Sequence, residues 1–88
     1  MALLPGGGYG EFVTVNSNHI MHVPESMSFE TAAAIPEVWC TAYQLLHFSA
    51  RIHEGESALV LAAASGVGTA LTQLLKKNGN EVFAVASN

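Results

Sequence analysis

The chain has 88 residues, half of them hydrophobic, with 11% charged residues and a net charge of −4 at pH 7. This composition excludes a disordered chain and argues against nucleic-acid binding, and the length suits one small globular unit that buries only ~60% of its unfolded surface. The single cysteine, Cys40, excludes an internal disulfide and a cysteine-built zinc site, and no apolar run reaches the ~18 residues of a membrane span, so a reducing, cytoplasmic setting without a membrane partner is expected.

Ala2 to Leu4 are apolar and lead into Pro5 and Gly6-Gly7-Gly8, which reads as the end of a strand followed by a plain turn. Glu11-Phe12-Val13-Thr14-Val15 is rich in β-branched and aromatic residues and predicts a strand. Asn16-Ser17-Asn18 predicts a turn, and His19 to Val23 a second short strand stopped by Pro24. His19 and His22 lie i,i+3 on that strand and so face opposite ways, which makes them surface histidines rather than a metal pair. Ser28 reads as an N-cap with Glu30 in the first turn, ahead of a short helix through Thr31-Ala32-Ala33-Ala34.

Pro36 ends that helix and opens another, which the spacing of Val38, Ala42, Leu45, Leu46 and Ser49 carries to about Ala50 as one amphipathic helix. On it, Trp39 and Tyr43 are expected in the core, and Cys40 as a small buried hydrophobe with no cation near it in sequence. Arg51 to Glu56 is a polar loop. Ser57-Ala58-Leu59-Val60-Leu61-Ala62 is apolar without alternation, the mark of a strand buried on both faces in a parallel sheet. Val67, Ala70, Leu71, Leu74 and Leu75 then recur on one helix face. Lys76 and Lys77 fall in its last turn, where cations suit the helix dipole. Asn78-Gly79 stops it, and Val82-Phe83-Ala84-Val85-Ala86 reads as a second buried strand. Strand, turn, helix, strand predicts two parallel strands joined by a right-handed crossover.

The turn in that unit is Ala62-Ala63-Ala64-Ser65-Gly66-Val67-Gly68. A dinucleotide-binding fingerprint sets three glycines there, for a tight turn, for close approach of the pyrophosphate and for close helix–strand packing. Here those positions read Ala63, Ser65 and Gly68, so only the third glycine is kept, although strand, turn and helix all stand in place. The amides of Ser65, Gly66 and Val67 would lie at the helix N-terminus, where an anion is favoured, and the Ser65 hydroxyl could donate one more hydrogen bond. The bland alternative is a small-residue turn that binds nothing. An NAD site usually carries an acid after the second strand, to hold the ribose hydroxyl. The chain there runs Val85-Ala86-Ser87-Asn88 without one, which permits NADP.

Four segments in order carry a resemblance to a known family: Gly7 to Val15, Pro24 to Pro36, Thr41-Ala42-Tyr43, and Ser65 to Ala70. Together they resemble the medium-chain dehydrogenase/reductase superfamily, in its zinc-independent quinone oxidoreductase branch, over nearly the whole chain. The nearest type within that branch looks to carry Ser where Ser65 stands and Glu where Glu37 stands. The resemblance implies an α/β fragment. Residues 1–35 would be the end of a GroES-like β domain, 36–56 a connecting helix and loop, and 57–88 the first strand-helix-strand of a Rossmann parallel sheet. It also implies cofactor-binding roles. Thr41 would approach the nicotinamide ring, Ser65, Gly66, Val67 and Gly68 would form the pyrophosphate turn, and Ala86 would stand where NAD-specific members carry an acid. A zinc ligand of related enzymes would fall at Glu37, with Cys40 out of register, so no metal is expected, and no catalytic acid or base is assigned within the chain.

The reading is therefore part of an NADPH-dependent oxidoreductase that reduces a quinone or an activated alkene (an enone) by hydride transfer, inactive as this chain alone. The rivals are a zinc alcohol dehydrogenase or enoyl-thioester reductase of the same fold, and a non-catalytic truncated isoform or isolated domain. Open strand edges lead to the expectation of a homo-oligomer.

Overall fold

The computed structural model describes residues 1–87; Asn88, the last residue of the tail read after the second strand, lies outside them. The chain divides into two compact units, Met1–Glu37 and Val38–Asn88.

The first unit departs most from the sequence reading. No β-strand forms between residues 1 and 28. Glu11–Val15 and His19–Val23 have strand propensity, but a strand needs a ladder partner and a core to face. Main-chain pairing between distant residues is confined here to Met1 and Met21, whose N–H groups each donate to the other's carbonyl, at 2.6 and 2.8 Å. Ala2–Leu4 is likewise irregular. The expected turn at Asn16-Ser17-Asn18 is a single 3₁₀ turn, Ser17–His19, with Asn16 Oδ1 accepting from the Asn18 N–H at 2.9 Å. Tyr9 and Phe12 are fully exposed. The one α-helix that lies wholly in this unit, α1, spans Phe29–Ala33, a frame slightly earlier than Thr31–Ala34. Ser28 caps it as read, its Oγ accepting from the Thr31 N–H at 3.2 Å.

Helix α2 spans Pro36–Gln44 and continues as a π-helix over Leu45–Ala50. One helix therefore runs to Ala50, but its last turn is wider than the periodicity implies. The Arg51 N–H donates to the Leu46 carbonyl, and Arg51 itself takes a left-handed conformation at φ 52°. Of the residues read as its inner face, Ala42 and Leu46 are buried, whereas Leu45 and Ser49 are exposed. Tyr43 is not in the core; it is exposed and packs its ring on His47, centroids 4.2 Å apart. Trp39 and Cys40 are only half-buried. The wider π turn explains the second aromatic contact. It brings residues four and five apart to one side, so Tyr43 also meets Phe48 edge-on at 6.1 Å.

The core lies between this helix and a β–α–β unit. Strand β1 spans Ser57–Val60, helix α3 Gly66–Lys77 and strand β2 Glu81–Ala84. The strands are parallel, with Ser57 opposite Glu81 and Val60 opposite Ala84. Both are shorter than read. β1 stops at Val60 because Ala62 turns to φ 52°, and β2 stops at Ala84, although Val85 still donates to the Val60 carbonyl at 2.9 Å. Leu46, Val60 and Leu75 form the buried centre, with Ile52, Ala58, Leu71, Leu74 and Val82 against it. Alternation decides the rest: Ala58, Val60 and Val82 face the helices, whereas Leu59, Leu61, Phe83 and Val85 point away and are exposed. The sheet is thus buried on one face, not two, because nothing among the described residues packs on the second.

Helix α3 ends as its Asn-Gly predicts. Gly79 takes φ 80°, its N–H donates to the Lys76 carbonyl at 3.2 Å, and the Asn80 N–H donates to the Leu75 carbonyl at 3.0 Å. This pair of bonds is a Schellman cap.

Candidate functional site

The turn between β1 and α3 is built from small residues because three pieces of backbone meet there. Ala62 leaves the strand in a left-handed conformation, a conformation that costs a residue with a Cβ roughly 1–2 kcal/mol. Its carbonyl accepts from the Ser65 N–H at 2.9 Å and closes the turn. Gly68, one turn into α3, lies directly on it. A Cβ on Gly68 would stand 2.3 Å from the Ala62 oxygen and 2.8 Å from the Ala63 Cα, so glycine is the residue that lets helix and turn touch. The helix–strand packing role of the third fingerprint glycine is thereby filled.

Ser65 is the N-cap of α3, its Oγ accepting from the Gly68 N–H at 3.0 Å. The sequence reading gives three amides for an anion, Ser65, Gly66 and Val67, and the structure corrects that number. The Ser65 N–H is already used by Ala62, whereas the Gly66 and Val67 N–H groups have no protein acceptor among the described residues. Those two amides sit at the positive end of a 12-residue helix, and the Ser65 hydroxyl keeps its own proton to donate. Gly66 and Ser65 are both exposed. No ionisable side chain belongs to the turn, so the turn's own contribution to the local field is that of the helix end.

The tail of β2 is stitched to the same place. The Ala63 N–H donates to the Val85 carbonyl at 2.8 Å, which sets Ala86, exposed, immediately after a residue bonded to the turn. Thr41 is half-buried in the middle of α2. Helix α2 approaches the turn through Val38, whose Cγ2 would lie 3.5 Å from a Cβ on Gly66, and Thr41 is one helical turn beyond Val38. Ser65, Gly66, Val67, Gly68 and Ala86 thus gather at the carboxyl ends of the parallel strands, where open α/β sheets hold their ligands.

Sequence reasoning set Ala62 at the end of the strand and the start of the turn, but missed its left-handed conformation. The available signal was the run Ala62-Ala63-Ala64 directly after a strand, where a sharp reversal tolerates only small side chains. As for metals, no cluster of three or more His, Cys, Asp or Glu side chains suited to an ion occurs among the described residues. No helix among them is long and apolar enough to cross a membrane.

No family model matches the chain. It is similar to the quinone oxidoreductase of Thermus thermophilus, a structure also solved in complex with NADPH, at a TM-score of 0.89 and 41% identity, over 99% of this chain and 29% of that one. It is 44% identical over 88 residues to the synaptic vesicle membrane protein VAT-1 homolog of Danio rerio, which covers 99% of this chain and 18% of that protein. It is 42% identical over 82 residues to highly-reducing polyketide synthase 1 of Aureobasidium melanogenum, covering 93% of this chain and 4% of that protein. Enoyl reductases are also among the similar solved structures. The chain therefore spans under a third of each of these three proteins.

Proposed function

Because the chain belongs to the medium-chain dehydrogenase/reductase superfamily, in its quinone oxidoreductase-like part, we propose that it forms the pyrophosphate-binding half of an NADPH site in an oxidoreductase. The observation that carries this reading is the pair of unpartnered amides at the start of α3, Gly66 and Val67, above a turn that only Gly68 allows to close. These amides, with the Ser65 hydroxyl, would donate to the pyrophosphate, and the helix end favours its charge. Ala86 leaves the ribose side free of a carboxylate that would repel a 2′-phosphate. Thr41 would border the nicotinamide end.

When bound, NADPH supplies the hydride that reduces a quinone or an activated alkene. The chain's part is to hold and orient, and it contributes no acid or base to the reaction. An enoyl-thioester substrate is the second reading, favoured by the likeness to enoyl reductases and reducing polyketide synthases. In either case residues 1–35 would close a GroES-like domain, 36–56 connect it, and 57–88 open the nucleotide-binding sheet. The exposed apolar sheet face supports association into a homo-oligomer, which sedimentation at rising concentration tests by a growing mean mass.

The cofactor reading is tested by titrating the chain with NADPH and with NADH. The expected result is weak binding, with a Kd on the order of 1 mM for NADPH and weaker for NADH. Equal affinity for both, or a preference for NADH, would remove the 2′-phosphate argument.

A further inference from the structure

Asn80 is the one buried polar residue among the described residues, and no role in cofactor binding falls to it. Its Nδ2 donates to two carbonyls of the preceding loop, His53 at 2.7 Å and Glu56 at 2.9 Å. Its Oδ1 accepts from Asn78 Nδ2 at 2.8 Å. The held residue, Asn78, precedes Gly79, a pair open to imide formation because no side chain shields the glycine nitrogen. We propose that Asn78-Gly79 is a deamidation site that the α3 cap and Asn80 hold in check, so that opening of the cap is recorded as a covalent change.

The chemistry needs only water. The Gly79 nitrogen bonds to Asn78 Cγ, the Cγ–Nδ2 bond breaks, and ammonia leaves carrying the proton of the Gly79 N–H. One water then opens the ring to an aspartyl or an isoaspartyl residue, with no change of oxidation state. Three features of the folded chain oppose the first step. The Gly79 N–H that must give up its proton is bonded to the Lys76 carbonyl. The Asn78 side-chain amide is pinned to Asn80, itself fixed to the loop. Asn78 sits at φ −80° and ψ 1°, which turns the Gly79 nitrogen away from the Asn78 side chain, whereas ring closure needs the two on one side.

The product would not restore the cap. An isoaspartyl residue lengthens the main chain between 78 and 79, so the bonds from Gly79 to Lys76 and from Asn80 to Leu75 no longer close together. Either product sets a carboxylate at the negative end of α3. β2 begins at Glu81, directly after Asn80, so the loss is felt at the start of the sheet.

The test is peptide mapping of the whole chain after incubation at mildly alkaline pH, in native buffer, in concentrated urea and as Asn80→Ala. Asn16 and Asn18 serve as internal references in every arm. The expected result is that Asn78 is the fastest site in urea, that it slows at least about tenfold in native buffer, and that Asn80→Ala returns most of the lost rate. If the variant fails to fold, the unsubstituted chain in low urea decides. There the rate at Asn78 should rise in step with hydrogen exchange of the Gly79 and Asn80 amides. A native rate equal to the urea rate, or one that ignores that exchange, overturns the proposal. Because the readout uses no cofactor, its failure is separate from a failure of NADPH binding.

Discussion

The two halves of the chain each contain a helix started by serine in the same way. Ser28 Oγ accepts from Thr31 at 3.2 Å, and Ser65 Oγ accepts from Gly68 at 3.0 Å. The first cap begins a five-residue helix whose one buried residue is Ala32, and the second begins a twelve-residue helix that buries Gly68, Ala70 and Leu75. The cap chemistry is shared; the difference lies in what the helix behind it packs on. α3 lies on a paired sheet, whereas the segments before α1 have strand-forming residues and no ladder. Local signals start an element, and burial decides how far it runs and how much it is worth.

That contrast is sharpened first by Leu75→Ala. Leu75 is 2% exposed at the centre of the second unit, and its truncation should cost about 3 kcal/mol, read as an earlier urea transition. Hydrogen-exchange protection should fall in residues 38–87 and stay level in 1–37. An equal loss in both would show that the halves are one cooperative body and undo the comparison. Gly68→Ala comes next. Its methyl group collides with Ala62 backbone, which cannot swing aside like a side chain, so a destabilisation of about 2 kcal/mol is expected together with loss of any cofactor affinity. A variant as stable as the parent would mean that the turn is not packed as described.

A smaller difference separates the two caps. Ser65→Ala should cost about 1 kcal/mol, and Ser28→Ala less than half of that, because α1 carries so little burial. Thermal unfolding of the two variants side by side would reverse the argument if Ser28 proved the more costly. The smallest effect is one of pH. The Glu30 carboxylate is held below its ordinary value of 4.5, chiefly by its own backbone amide and then by the Ser28 hydroxyl. A lowered folded value stabilises α1 above pH 4.5, and that contribution fades as the pH falls through the folded value. An NMR titration in which Glu30 titrates above 4.5 would contradict it.

Much of the second unit is legible in the sequence. The spacing of Val67, Ala70, Leu71, Leu74 and Leu75 marks α3, Asn78-Gly79 marks its end, and the apolar runs on either side mark β1 and β2. The strand ends are not legible, since Ala62 leaves the strand for a conformation that an alanine seldom adopts. The first unit misleads because pattern alone cannot supply a strand with a neighbour. Tyr43 misleads for a related reason: it stays exposed on its side of α2, and helical spacing alone cannot tell whether anything covers that side. In the site, the small residues place the turn, but only coordinates show that the Ser65 amide is taken and that Gly66 and Val67 are left to donate.

The claim that this pair of amides binds the pyrophosphate is tested most directly by an amide NMR titration with NADPH. The Gly66 and Val67 resonances should move progressively and reach a plateau, while those of Phe29 and Glu30, at the start of the other serine-capped helix, stay in place. Resonances that remain still at Gly66 and Val67, or that move equally at both helix starts, would contradict it.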